Sequence, residues 1–129
     1  MSLIDNTILF VKQKLENAEA GHDWFHIERV YKLSEIIAKT EQCNLVVVQL
    51  AALLHDIAEP KFHQGDETLA LSISNDFLTS IGVPKDCIEQ VLFVIKHLSF
   101  KNRGSLPKTI PIELKIVQDA DRLDAIGAI

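Results

Sequence analysis

The stretch LVVVQLAALLHDIA, residues 45 to 58, constrains this chain more than any other. From Leu45 to Leu54 every position except Gln49 is apolar, so a helix built from it has no polar face and must be wrapped by other elements. The Val run alone would suit a buried strand, but the length and the Ala-Ala-Leu-Leu continuation favour a helix. Pro60 closes it, because its ring and missing N–H forbid continuation. Near the end of this segment stand His55 and Asp56. A buried polar group without a partner costs about 1–3 kcal/mol, and an unpaired charge more. Two such groups in the most apolar helix need compensation. A core histidine and an aspartate held by hydrogen bonds would provide it, and so would a divalent cation taking imidazole nitrogen and carboxylate oxygen as ligands.

The elements that could wrap such a helix are amphipathic. Residues 3 to 19 carry Leu3, Ile4, Ile8, Val11 and Leu15 at helical spacing, and residues 24 to 39 carry Ile27, Val30, Tyr31, Ser34 and Ile37. Residues 66 to 80 form a weaker segment. Pro84, suited to a first helical position, opens residues 84 to 99 with Ile88, Val91, Leu92 and Ile95. Pro111 opens the last, with Leu114, Ile116, Val117, Ala120 and Leu123. No segment alternates with period two. The pattern predicts an all-α protein, one domain over residues 1–129, folded as a helical bundle of about six helices with residues 45 to 58 at its centre. A chain of 129 residues supports one core and not two. The last stretch, DADRLDAIGAI, is still helical in pattern where the sequence stops, so a longer chain is expected.

Charge and cysteine usage narrow the function classes. A net charge of −5 argues against a duplex nucleic-acid surface, which needs a basic stripe. A local cluster of Lys and Arg could still serve a small phosphorylated molecule. Cys43 and Cys87 show no CxxC spacing and read as reduced thiols of a cytoplasmic protein. The longest apolar run is too short for a bilayer, and the N-terminus lacks a basic-then-apolar signal, so no membrane association is expected.

A second His-Asp pair, His22-Asp23, reads differently. It follows Gly21 where one helix has ended and the next begins, so Asp23 suits an N-cap whose carboxylate accepts a first-turn N–H. His22 and His26 have HxxxH spacing, but His22 stands before the helix start. His26, one turn into the helix beside Ile27 and Val30, is the better ligand candidate. In DADRLDAIG, spacing at about 100° per residue puts Asp124 near the middle of the apolar face, with Asp119 and Asp121 on opposite borders. Periodicity does not choose between Asp119 and Asp121, and it keeps Asp124 as a rival.

Together, H-x-x-R-V at 26–30, ALLHDIAE at 52–59 and VQDADRLDAIG at 117–127 resemble the HD-domain metal-dependent phosphohydrolases, in the order H…HD…D and over essentially the whole chain. The resemblance implies an all-α fold and metal ligands at His26, His55, Asp56 and Asp121. It implies one divalent ion, manganese first, with Mg, Co, Ni, Fe or Zn as alternatives. The implied substrate is a nucleotide or another small phosphorylated metabolite, since some small bacterial stand-alone members resemble nucleotide pyrophosphohydrolases. Such chains usually continue well beyond the ADRLDAIG helix. A homodimer is compatible with the resemblance.

Two imidazoles and two carboxylates leave coordination positions for water and a phosphate oxygen. Glu59, three residues after Asp56 and four after His55, is expected to face the same side of the helix and fits a general base. A surface glutamate beside Pro60 is the plainer alternative. Arg29 and Arg122 flank the ligand positions and could bind phosphate, although an arginine placed as Arg29 is more often used to hold a neighbouring carboxylate, and Arg122 could do likewise. Lys61 and His63 lie in the loop EPKFHQGDE, as does Asp66. His97, flanked by Lys96 and Lys101, stands where two-metal relatives carry another histidine; one such residue without the rest favours a single metal. The pattern also fits a cyclic-nucleotide or alarmone-type phosphodiesterase, or a non-catalytic nucleotide-binding regulatory module.

Overall fold

A computed structural model describes residues 2–16, 24–57, 69–99 and 109–126. Among the described residues there are six helices and no strand: α1 (Leu3–Glu16), α2 (Trp24–Ala38), α3 (Leu45–Leu54), α4 (Leu69–Ser80), α5 (Lys85–Ser99) and α6 (Ile112–Ile126). The predicted all-α bundle is what the chain forms. Helix α3 is its centre, packed against α1, α2, α5 and α6, while α4 lies outside on α5. Val47, Val48, Leu50, Leu53 and Leu54 are fully buried, as an all-round apolar helix requires.

Local chemistry sets most boundaries. Ser2 caps α1 by accepting the Asp5 N–H on its hydroxyl at 3.1 Å. Asn44 caps α3 by accepting from the Val47 N–H, and its own N–H donates to Glu113 at the start of α6 at 2.8 Å. The start of α3 is thereby tied to the start of α6. Helix α4 ends in a Schellman turn: Gly82 has φ +82°, its N–H donates to the Thr79 carbonyl, and the Val83 N–H reaches back to Leu78. Val83 and Leu78 are both buried, the positions at which such a turn commonly carries apolar side chains. Pro84 and Pro111 stand one position before the first helical residues, not at them; their carbonyls accept from Ile88 and Lys115.

One boundary differs from expectation in a way that matters. The segment predicted as a helix over 45 to 58 is helical only to Leu54, with His55 as C-cap and residues 55–57 in a turn. The His55 ring bonds the Ala52 carbonyl at 2.8 Å, the acceptor that the next α-helical N–H would use. The Ile57 N–H instead bonds Leu54, three residues back. The polar pair therefore stands at the mouth of the central helix and not along its side.

Candidate metal centre

Three elements bring the site together. His26 lies in the first turn of α2, His55 and Asp56 lie at the end of α3, and Asp121 and Asp124 lie one turn apart on α6. Helices α2 and α6 pack closely on each other and on α3, which carries residues from both ends of the sequence to one place.

His26, His55 and Asp56 each offer a ligand atom, and these atoms lie within 4.8 Å of one another. His26 Nε2 is 4.0 Å from Asp56 Oδ2 and 3.8 Å from Asp121 Oδ1, and His55 Nε2 is 3.7 Å from the same Asp121 oxygen. His55 is buried, while His26, Asp56 and Asp121 are partly exposed. The Ala52 carbonyl can only accept, so His55 Nδ1 carries the proton and Nε2 faces Asp121. Burial alone would push the His55 imidazole down; the Asp121 and Asp56 carboxylates outweigh it and hold the imidazole above its ordinary value. In the metal-free protein these carboxylates thus favour a proton on His55, a role a cation would also fill.

Asp124, the rival on the apolar face, is buried and engaged on both oxygens. Its Oδ2 accepts from His26 Nδ1 at 2.7 Å and its Oδ1 from Arg29 Nε at 2.5 Å. The Arg29 guanidinium holds the Asp124 carboxyl below its ordinary value, against the opposing effect of burial and with His26 assisting. Arg29, a phosphate-binding candidate on sequence grounds, therefore spends its Nε on a carboxylate of the protein. The sequence signal for this link was the matching one-turn spacing of His26-x-x-Arg29 and Asp121-x-x-Asp124.

The other candidates are less gathered. Arg122 and Lys96 are exposed. His97 packs against Phe93, with ring centroids 4.3 Å apart. Glu59, Lys61, His63 and Asp66, together with His22, Asp23 and Lys101, lie outside the described residues. A groove of about 470 Å³ lined by Val47, Asp86, Glu89, Phe93, Pro111 and Glu113 opens at the opposite end of α3. Its three carboxylates suit it poorly to phosphate. Cys43 and Cys87 are free thiols, both pushed up by burial. Among the described residues no helix is long and apolar enough to cross a membrane.

The HD domain family model matches residues 24–126. The chain is 42% identical over 123 residues to the uncharacterized protein YpgQ of Bacillus subtilis (strain 168), covering 93% of this chain and 58% of that protein. Among solved structures it resembles an HD-superfamily hydrolase from Bacillus thuringiensis, with a TM-score of 0.76 at 36% identity over 95% of this chain and 57% of that one. It also resembles Bacillus subtilis YpgQ in complex with ADP, with a TM-score of 0.75 at 35% identity over 97% of this chain and 59% of that one. This chain thus spans under two thirds of the length of the relatives it matches.

Proposed function

The chain belongs to the HD domain family, and on that footing we propose that it is a metal-dependent phosphohydrolase acting on a nucleotide or a similar small phosphorylated metabolite. The observation that carries the proposal is the convergence of His26 Nε2, His55 Nε2 and the Asp56 and Asp121 carboxylates from three separate elements. Two imidazoles and two carboxylates, one imidazole buried and the other three groups partly exposed, fit one divalent ion of intermediate-to-hard character, manganese first. When bound, such an ion neutralises phosphate charge and lowers the pKa of water.

The chain's own residues then divide the work. His26, His55, Asp56 and Asp121 hold the ion. With those two carboxylates so used and Asp124 engaged by Arg29 and His26, a proton acceptor has to come from another residue. Glu59, three residues beyond Asp56 in the chain, takes that role in our proposal. Lys61, His63, Lys96, His97 and Arg122 are the candidates for phosphate oxygens, with whatever of Arg29 its pairing to Asp124 leaves exposed. The ADP bound by Bacillus subtilis YpgQ supports a nucleotide as the substrate class.

The test joins metal content to turnover. Purified protein is dialysed against Mn²⁺, its bound metal is counted, and nucleoside phosphates and other phosphorylated metabolites are screened for phosphate release. Turnover that disappears on chelation and returns with Mn²⁺ is the expected result. A metal-loaded protein that binds nucleotides and turns none over would instead be a binding module. Protein that takes up no divalent ion would overturn the proposal.

A further inference from the structure

We infer that Arg29 and Asp124 form a positioning relay that fixes the His26 ring in one tautomer and one orientation. The inference rests on the metal site proposed above and assigns two further residues to it. On α2, His26 and Arg29 are three apart and share a face; on α6, Asp121 and Asp124 do the same. Where the two faces meet, the four side chains interlock. Asp121 meets His26 at Nε2, and Asp124 meets it at Nδ1.

The chemistry of imidazole makes that arrangement directional. A neutral ring carries one N–H and one lone pair, and the nitrogen that donates decides which one can ligate. The ionised Asp124 carboxylate can only accept, so Nδ1 holds the proton and the Nε2 lone pair faces Asp56 and Asp121. His55 reaches the same tautomer by another device, its bond to the Ala52 carbonyl. Both rings are therefore set to present Nε2 to one point, one by backbone and one by a buried carboxylate.

Arg29 completes the relay from the other side. A buried carboxylate is costly unless it is paired and hydrogen-bonded. Arg29 Nε supplies a charge-assisted bond to Oδ1 that keeps Asp124 ionised and turned toward His26. Asp124 is thereby a positioning residue and not a ligand, because both of its oxygens are engaged within the protein.

The relay is tested with the full chain and the variants Asp124→Ala, Asp124→Asn and Arg29→Lys. Long-range ¹H–¹⁵N spectra of the histidine side chains, taken on metal-free protein at mildly alkaline pH, report the tautomer of each ring. Wild-type His26 should show the Nδ1–H form. Asp124→Ala should convert it to a mixture, while the His55 signals stay in place as an internal control. Mn²⁺ affinity, measured by competition with a chelating dye, should fall about 10–100-fold in Asp124→Ala, as for loss of other partners that orient metal ligands. Asp124→Asn keeps the shape and guards against a folding defect; its neutral amide should weaken Mn²⁺ binding in the same direction, and Arg29→Lys should fall between it and wild type. An unchanged His26 tautomer in both Asp124 variants would overturn the relay. Wild-type protein without Mn²⁺ affinity would overturn the metal site instead, and the tautomer spectra would then decide the relay alone.

Discussion

His55 donates its Nδ1–H to the carbonyl of Ala52, three residues back and 2.8 Å away. The bond turns the opposite ring nitrogen away from the helix and toward Asp121, at 3.7 Å. A side chain held by its own backbone in this way is preorganised before any ion arrives, which limits the ordering cost of binding.

Asp121→Asn should therefore lower Mn²⁺ affinity by more than the roughly 10–100-fold that outlying partners are worth, while Asp119→Asn leaves it near wild type. Equilibrium dialysis with metal analysis makes the comparison. Loss of metal in the Asp119 variant would move the ligand by two residues and undo the site as drawn.

Glu59→Gln should keep the ion and lower turnover by roughly two to four orders of magnitude, because the amide cannot accept a proton at neutral pH. Asp56→Ala should remove ion and turnover together. Unchanged turnover in Glu59→Gln would pass the role to His63 or Asp66, farther along the chain.

Tyr31 supplies a pH prediction away from the site. Burial first, then the charge and hydrogen bond of Glu35, push its phenol up to about 12; Glu35 is in turn held by Gln49 at 2.9 Å. The unfolded chain releases this proton near pH 10, so above that pH the folded state binds more protons than the unfolded one. Stability from this group is complete below about pH 10 and declines as pH rises toward 12. As the chain has one tyrosine, absorbance near 295 nm reads it without ambiguity. An ionisation midpoint near 10 in native protein would contradict the partly buried environment beside Glu35, and Tyr31→Phe should flatten the alkaline loss of stability.

Ser34 on α2 and Ser74 on α4 are fully buried, and their hydroxyls find no hydrogen-bond partner among the described residues. Replacing either with Ala removes an unpaired polar group and improves helix propensity. Each variant should gain about 1 kcal/mol, read from the denaturant midpoint at constant slope. A loss of stability would mean that the hydroxyl is engaged after all.

The apolar run at 45 to 54 announced the central helix because no other placement hides so much hydrocarbon, and the residues of α2, α5 and α6 at helical spacing announced its neighbours. The end of α3 was not legible. Hydrophobic period continues through Ile57, whereas the helix stops where the His55 ring captures a backbone acceptor, a competition that periodicity does not register. Asp124 shows the same limit from the other direction: its place on the apolar face predicted burial correctly, yet which partners would neutralise it depended on α2 lying against α6. Asp119 and Asp121 stood level by angle; the resemblance, and not periodicity, pointed to Asp121, and both imidazoles approach its carboxylate in the structure.

The early stop of α3 has an electrical consequence. The peptide dipoles of a helix leave roughly half an elementary negative charge at its C-terminal end, and α3 delivers that end to His55 and Asp56. A phosphate approaching the bare protein there meets repulsion from the backbone as well as from two carboxylates. A cation meets attraction from all three, so on the proposed reading an ion would bind ahead of a phosphate.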